Sequence, residues 1–94
     1  MKLRWSKRAL RRLAFIHDYI AKDSPEAAAR VAAAIAEAAQ QLERFPLSGR
    51  TGRLEGTREL VISGLPYILP YRIVDDVIQI ASVIHTSRKW PEKL

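Results

Sequence analysis

Residues 58–84 read RELVISGLPYILPYRIVDDVIQIASVI, and this stretch decides the fold. Apolar and polar positions alternate with a period of two, the spacing of a strand with one face buried. Three strands follow from it, Arg58–Ser63, Tyr67–Val74 and Val77–Ile84. Gly64-Leu65-Pro66 and Asp75-Asp76 supply the turns between them. With links this short, neighbouring strands run antiparallel and form a meander. Pro70 has no N–H to give to a ladder, so the middle strand is expected to be an edge or to carry a bulge there.

Upstream of this stretch the periodicity is helical. Ala9, Leu13, Ile16 and Ile20 recur at steps of four, three and four, with Phe15 and Tyr19 widening the stripe. Ser6 is placed to cap this helix, which runs to about Lys22. Ser24 caps a second helix, with Pro25 in its first position and Glu26 at its positive end. Val31, Ile35, Ala38, Leu42 and Phe45 form its apolar stripe, and Pro46 stops it. Before both helices, Leu3 and Trp5 alternate with Lys2 and Arg4 as a short strand. Residues 46–57, PLSGRTGRLEGT, read as an exposed loop. The expected fold is α+β: an N-terminal strand, an antiparallel helix hairpin, then a three-strand antiparallel meander, with the helices packed on one sheet face. A length of 94 residues fits a single domain, 1–94.

The chain carries 16 Lys+Arg against 10 Asp+Glu, a formal charge of +6. Lys2, Arg4, Lys7, Arg8, Arg11 and Arg12 fall within the first twelve residues. This balance favours an anionic partner, nucleic acid or acidic protein, although a solubilising surface has the same composition. The absence of cysteine excludes disulfides and thiolate metal sites. The charged N-terminus is unlike a signal peptide, and no segment reaches the roughly 20 apolar residues of a membrane span. A soluble cytoplasmic protein without a membrane partner is expected.

The chemistry-bearing residues narrow the choice further. His17 and His85 lack the companions of a metal site, so neither a metal nor a cofactor is expected. GRTGRLEG, residues 49–56, has no GK[ST] ending and no strand before it, which excludes a phosphate-binding P-loop. Its arginines, Arg50 and Arg53, remain candidate contacts for phosphate or acidic side chains. No serine stands in a nucleophile elbow. In VIHTSRKWP, residues 83–91, His85, Arg88, Lys89 and Trp90 emerge together after a buried strand. A histidine to move a proton and an arginine to stabilise a phosphorane are a minimal set for metal-free RNA cleavage. The same residues serve equally as a polar binding edge.

WSKRALRRL, HDYIAKDSPEAA, FPLSGRTG, GTRELVISGLPYILPYRI and VIHTSRKWP, in this order and spacing, resemble the ParE/RelE toxin superfamily along the whole chain. The resemblance implies the toxin of a type II toxin–antitoxin module, which arrests growth and is neutralised by a cognate antitoxin in a hetero-oligomer. It also implies one of two targets. ParE-like members poison DNA gyrase and are not enzymes of RNA cleavage, whereas RelE-like members cut messenger RNA on the ribosome without metal. In the RNA-cleaving members an arginine lies three residues before the tyrosine of the middle strand. Tyr71 is similar to that tyrosine, so Ile68 stands at the arginine's position, which favours the ParE-like reading.

Three readings follow. A gyrase poison would contact its target through Arg50, Arg53, Arg58, Arg72, His85, Arg88 and Trp90. A ribosome-dependent endoribonuclease would place Arg72, His85 and Arg88 at the scissile phosphate. A non-toxic degenerate relative would bind only its antitoxin. In each, the antitoxin is expected on apolar surface left by the small core, at Phe15, Tyr19 and a sheet edge around Pro70.

Overall fold

The computed structural model describes residues 1–94. The elements run β1 (Lys2–Trp5), α1 (Lys7–Ala21), α2 (Pro25–Gln41), β2 (Arg50–Thr51), β3 (Arg58–Val61), β4 (Tyr67–Val74), β5 (Val77–Ile80) and β6 (Ile84–His85). The fold is α+β, with the anticipated meander as its centre: β4 pairs antiparallel with β3 on one side and with β5 on the other. Outside the meander, β1 pairs in parallel with β5 at one edge and the two-residue β2 pairs with β3 at the other.

The helices begin where their caps predict. The Ser24 hydroxyl accepts from the Ala27 N–H at 3.1 Å and α2 starts on Pro25. That helix is shorter than its apolar stripe implied, ending at Gln41, because Leu42 to Phe45 continue as turns. Register and alternation put Leu3, Trp5, Ile78, Ile80, Leu69, Tyr71 and Leu60 on one sheet face. Those side chains share a core with Ala9 and Ile16 of α1, and with Ile35 and Ala39 of α2 and Leu42 after it. Alanines on α2 let the helix pair approach closely, and they are also the strongest helix formers.

At Pro70 the structure takes the second of the two expected forms, a bulge, and the antitoxin-binding edge expected around it does not exist. The residue is fully buried in the central strand, not at an edge. Tyr71 pairs with Ile80 and Ile68 with Ile84, so residues 81–83 lie opposite only residues 69 and 70. This extra residue is a bulge, and it splits the expected third strand into β5 and β6. The Pro70 carbonyl accepts from the Ala81 N–H at 2.9 Å. In a strand the N and O of one residue point the same way, so the missing N–H faces the bulge and no ladder bond is lost.

Ser6 then joins this bulge to α1. Its N–H donates to the Ile80 carbonyl at 2.9 Å, and its hydroxyl donates to the Ala81 carbonyl at 2.9 Å. The same hydroxyl accepts from the Ala9 N–H at 3.0 Å, as the helix cap. One side chain thus starts the helix and fixes it to the sheet. The Asp75-Asp76 turn closes the β4–β5 hairpin with both residues at positive φ, 51° and 62°. That is a type I′ geometry, which aspartate tolerates.

Candidate functional site

Phe15 and Tyr19 of α1, expected as apolar surface left over by the small core, have no further element to cover them. Phe15 is 52% and Tyr19 66% exposed, with their rings stacked 6.3 Å apart. The Arg12 guanidinium lies over the Phe15 ring at 5.2 Å. These side chains form one wall of a groove of about 390 Å³. Ile16 and Ile20 also line it from α1, and Tyr67, His85, Ser87 and Arg88 from the sheet end. The bulge makes this placement possible, because it restores pairing of His85 with Tyr67 and brings both to the helix side. Their rings meet edge to face at 5.3 Å.

His85 is oriented by its own loop. The Ser87 N–H donates to Nδ1 at 3.1 Å, and the Ser87 hydroxyl lies 2.7 Å from the same nitrogen. With Nδ1 accepting, the neutral ring carries its proton on Nε2. An apolar floor, two aromatic walls and the guanidiniums of Arg12 and Arg88 give the groove an affinity for apolar and anionic groups together. No three His, Asp or Glu side chains gather as metal ligands.

The other basic residues singled out by sequence lie elsewhere, and four of them are engaged within the fold. Glu59 is 1% exposed. Its carboxylate accepts from Arg50 Nε at 3.2 Å and Nη2 at 3.0 Å, and from the Arg53 N–H at 2.7 Å. Arg53 also packs its guanidinium 4.0 Å from the Trp90 ring, which ties the tail after β6 to this loop. Arg58 donates to the Gly49 carbonyl at 2.8 Å. Beside it the Tyr71 hydroxyl donates to the Pro46 carbonyl at 2.7 Å and accepts from the Gly49 N–H at 3.0 Å. Burial raises the pKa of that hydroxyl above the ordinary 10.0, against smaller opposing effects of the Gly49 N–H and the Arg58 charge. Tyr71 is therefore a neutral structural clamp on the 46–49 turn. Arg72 faces away from the helices and donates to the Leu94 carbonyl at 3.4 Å.

Of the candidate target residues, then, only His85 and Arg88 meet in the groove. Arg50, Arg53 and Trp90 form the Glu59 assembly, Arg58 holds the loop, and Arg72 belongs to the opposite face. This also separates Arg72 from His85 and Arg88 as a catalytic set. Ile68 is buried on the sheet face turned away from Leu69 and Tyr71. Of the candidate antitoxin residues, Phe15 and Tyr19 are exposed in the groove, whereas buried Pro70 presents no surface. Sequence reasoning did not pick Arg12, Tyr67 or Ser87. Arg12 was legible as the residue one helical turn before Ile16 and three before Phe15, and the other two required the β4–β6 register.

Comparison with known proteins agrees with this architecture. Residues 3–90 match the profile of the family described as ParE toxin of type II toxin-antitoxin system, parDE. A protein of Sinorhizobium fredii named "Putative toxin Y4kP" is 53% identical over 93 residues, covering 99% of this chain and 96% of its own. Toxin RelE2 of Caulobacter vibrioides is 38% identical over 84 residues, covering 89% and 93%. Among solved structures, a chain of the chromosomal ParDE TA system from P. aeruginosa superposes with a TM-score of 0.84 at 28% identity, covering 93% of this chain and 97% of that one. No helix is long and apolar enough to cross a membrane. The chain belongs to the ParE toxin family of type II toxin–antitoxin systems.

Proposed function

We propose that this toxin arrests growth by acting on DNA gyrase, and that a cognate antitoxin neutralises it by filling the α1 groove. The observation that carries the target assignment is the commitment of the Tyr71 region to structure. The hydroxyl is buried and doubly hydrogen-bonded, Arg58 holds the neighbouring loop, and Ile68 brings no charge. Cleavage of RNA by a 2′-hydroxyl needs a base, an acid and stabilisation of a pentacoordinate phosphate in one place. That constellation does not form around the middle strand.

Neutralisation follows from the same groove. Phe15 and Tyr19 are suited to receive the apolar face of an antitoxin helix or extended segment, while Arg12 and Arg88 receive its carboxylates. An antitoxin seated there covers His85 and Arg88, so inhibition is by occlusion in a cytoplasmic hetero-oligomer. Burying one such aromatic side chain is worth about 1.5–3 kcal/mol. Phe15→Asp should weaken antitoxin binding by at least about tenfold. An unchanged affinity in a folded variant would remove the groove from the antitoxin interface.

A ribonuclease reading is supported by one feature, the convergence of Arg12, Tyr67, His85 and Arg88 on the groove. The deciding experiment induces the chain alone and follows messenger RNA integrity, alongside supercoiling by purified gyrase. Lost supercoiling or trapped cleaved DNA with intact messenger RNA is expected. Ribosome-dependent messenger RNA cleavage abolished by His85→Ala or Arg88→Ala would replace the gyrase assignment with an enzymatic one.

A further inference from the structure

The two helices of this chain treat their N-termini in opposite ways. The first turn of α2 carries Glu26, which complements the positive end of the helix dipole. The first turn of α1 has no acidic residue; it carries Lys7 and Arg8, and Arg11 and Arg12 follow in the next turn. Cations at a helix N-terminus are locally unfavourable; Arg12 rests on the Phe15 ring and Arg8 donates to the Lys93 carbonyl at 3.3 Å, but no carboxylate pairs with any of the four. A cationic helix start with no carboxylate partner points to an external anion.

Where those cations lie identifies the partner. Arg8 and Arg12 line a concavity of about 370 Å³ together with Arg88, Lys89 and Lys93, against the single carboxylate of Glu92. None of the five cations forms an ion pair. Arg8 also lines the adjoining hollow with Arg72 and Gln79, so the two are continuous. Register extends the row across the sheet, because Arg4 and Arg72 both pair with Gln79, one from each side. The result is a basic track running from the start of α1 across the sheet face opposite the helix pair. Its first hollow sets five cations against one carboxylate, a charge ratio that suits a polyanion. Neither hollow is lined by an aromatic ring on which an unpaired base could stack.

We propose that this track binds the sugar–phosphate backbone of duplex DNA without reading its sequence. Positive charge in a groove serves any nucleic acid, but single-strand binders add stacking platforms, which are missing here. The proposal is independent of whether the toxin's target is gyrase or the ribosome.

The test is fluorescence anisotropy of a mixed-sequence 20-base-pair duplex titrated with the purified full chain at several salt concentrations. Such a duplex is about 68 Å long, at roughly 3.4 Å per pair. That exceeds the 39 Å longest dimension of the protein, so the whole track can be engaged. Binding should weaken steeply with salt, with a log–log slope of about −0.9 for each phosphate neutralised. The triple variant Arg8→Gln/Lys89→Gln/Lys93→Gln should lower the slope by about three and the affinity more than tenfold. A control pair on the far side, Arg30→Gln/Arg44→Gln, should leave the slope unchanged. A cooperative thermal transition in each variant establishes that it is folded. The proposal is overturned if the triple variant keeps the full slope or if the control loses as much. It is equally overturned if the single strand binds more tightly than the duplex, or if an acidic peptide of equal charge displaces the duplex more effectively than unlabelled duplex does.

Discussion

Around Glu59, Arg50 and Arg53 are held against a buried carboxylate, whereas at the start of α1 the cations Arg8, Arg12, Arg88, Lys89 and Lys93 have no carboxylate in ion-pairing reach. The two regions use the same side chains under opposite constraints. A buried carboxylate requires counter-charges, so the loop arginines are fixed by folding and are poor candidates for recognition. Unpaired guanidiniums in a concave surface keep their hydrogen-bonding capacity for another molecule. Charge counted along the sequence does not separate these cases; the position of one glutamate does.

The sharpest way to break the contrast is to remove that glutamate. Glu59→Ala should cost about 2–3 kcal/mol, less than the roughly 3–5 kcal/mol of a fully buried pair because both arginines remain half-exposed. Arg12→Gln should change stability by less than about 0.5 kcal/mol. Urea titrations of the two variants measure both values, and equal losses would mean that the regions are energetically alike.

Next in size is Gly49→Ala, since a Cβ there would lie 2.6 Å from the Tyr71 ring and 3.0 Å from the Glu59 carbonyl. Neither neighbour can yield, one being a buried ring and the other backbone, so a loss of about 1–3 kcal/mol is expected. A variant as stable as the parent would show that the 46–49 turn is not clamped to the sheet.

Tyr71→Phe tests the same clamp through its chemistry. At neutral pH it should cost about 1 kcal/mol, the net worth of one buried hydrogen-bonded hydroxyl. The folded pKa is raised above 10.0, so this stabilising contribution is complete below pH 10 and is lost as pH rises through the higher folded value. Stability measured from pH 8 to 12 should fall less steeply in Tyr71→Phe than in the parent. An identical alkaline slope would place the hydroxyl in water.

The smallest effect belongs to neither region. Asp76→Gly relieves a positive φ of 62° in the β4–β5 turn and should stabilise by a few tenths of a kcal/mol, after the entropy of glycine is subtracted. A thermal shift is the suitable measurement, and a loss of stability would contradict the type I′ assignment.

Much of this architecture could be read from the chain. Period-two alternation located β3, β4 and β5, and hydroxyl caps located both helices, because these signals act over a few residues. What escaped is non-local or too short for periodicity. The two-residue strands β2 and β6 exist only through their partners, and the parallel pairing of β1 with β5 leaves no mark on either segment. Pro70 announced an irregularity but not its form, since an edge and a bulge both tolerate a missing N–H. At the site, Phe15, Tyr19, His85 and Arg88 were singled out for two separate tasks, and the register of β6 unites them. The loop arginines were assigned outward because Glu59 was not recognised as inward-facing. Its place between Arg58 and the apolar run Leu60–Ile62 carries that signal, since a carboxylate buried in a strand demands nearby cations.

The bond from the Ser6 hydroxyl to the Ala81 carbonyl spans 75 residues, and the β1–β5 ladder spans a similar stretch. During synthesis, the first strand and the start of the first helix must wait for their partners to emerge. At roughly 5–20 residues per second, that interval is about 4–15 s. If the antitoxin binds as proposed, one already present in the cell would meet the α1 aromatics before the sheet that completes the groove has formed. Capture of the nascent toxin and capture of the finished one are kinetically distinct events.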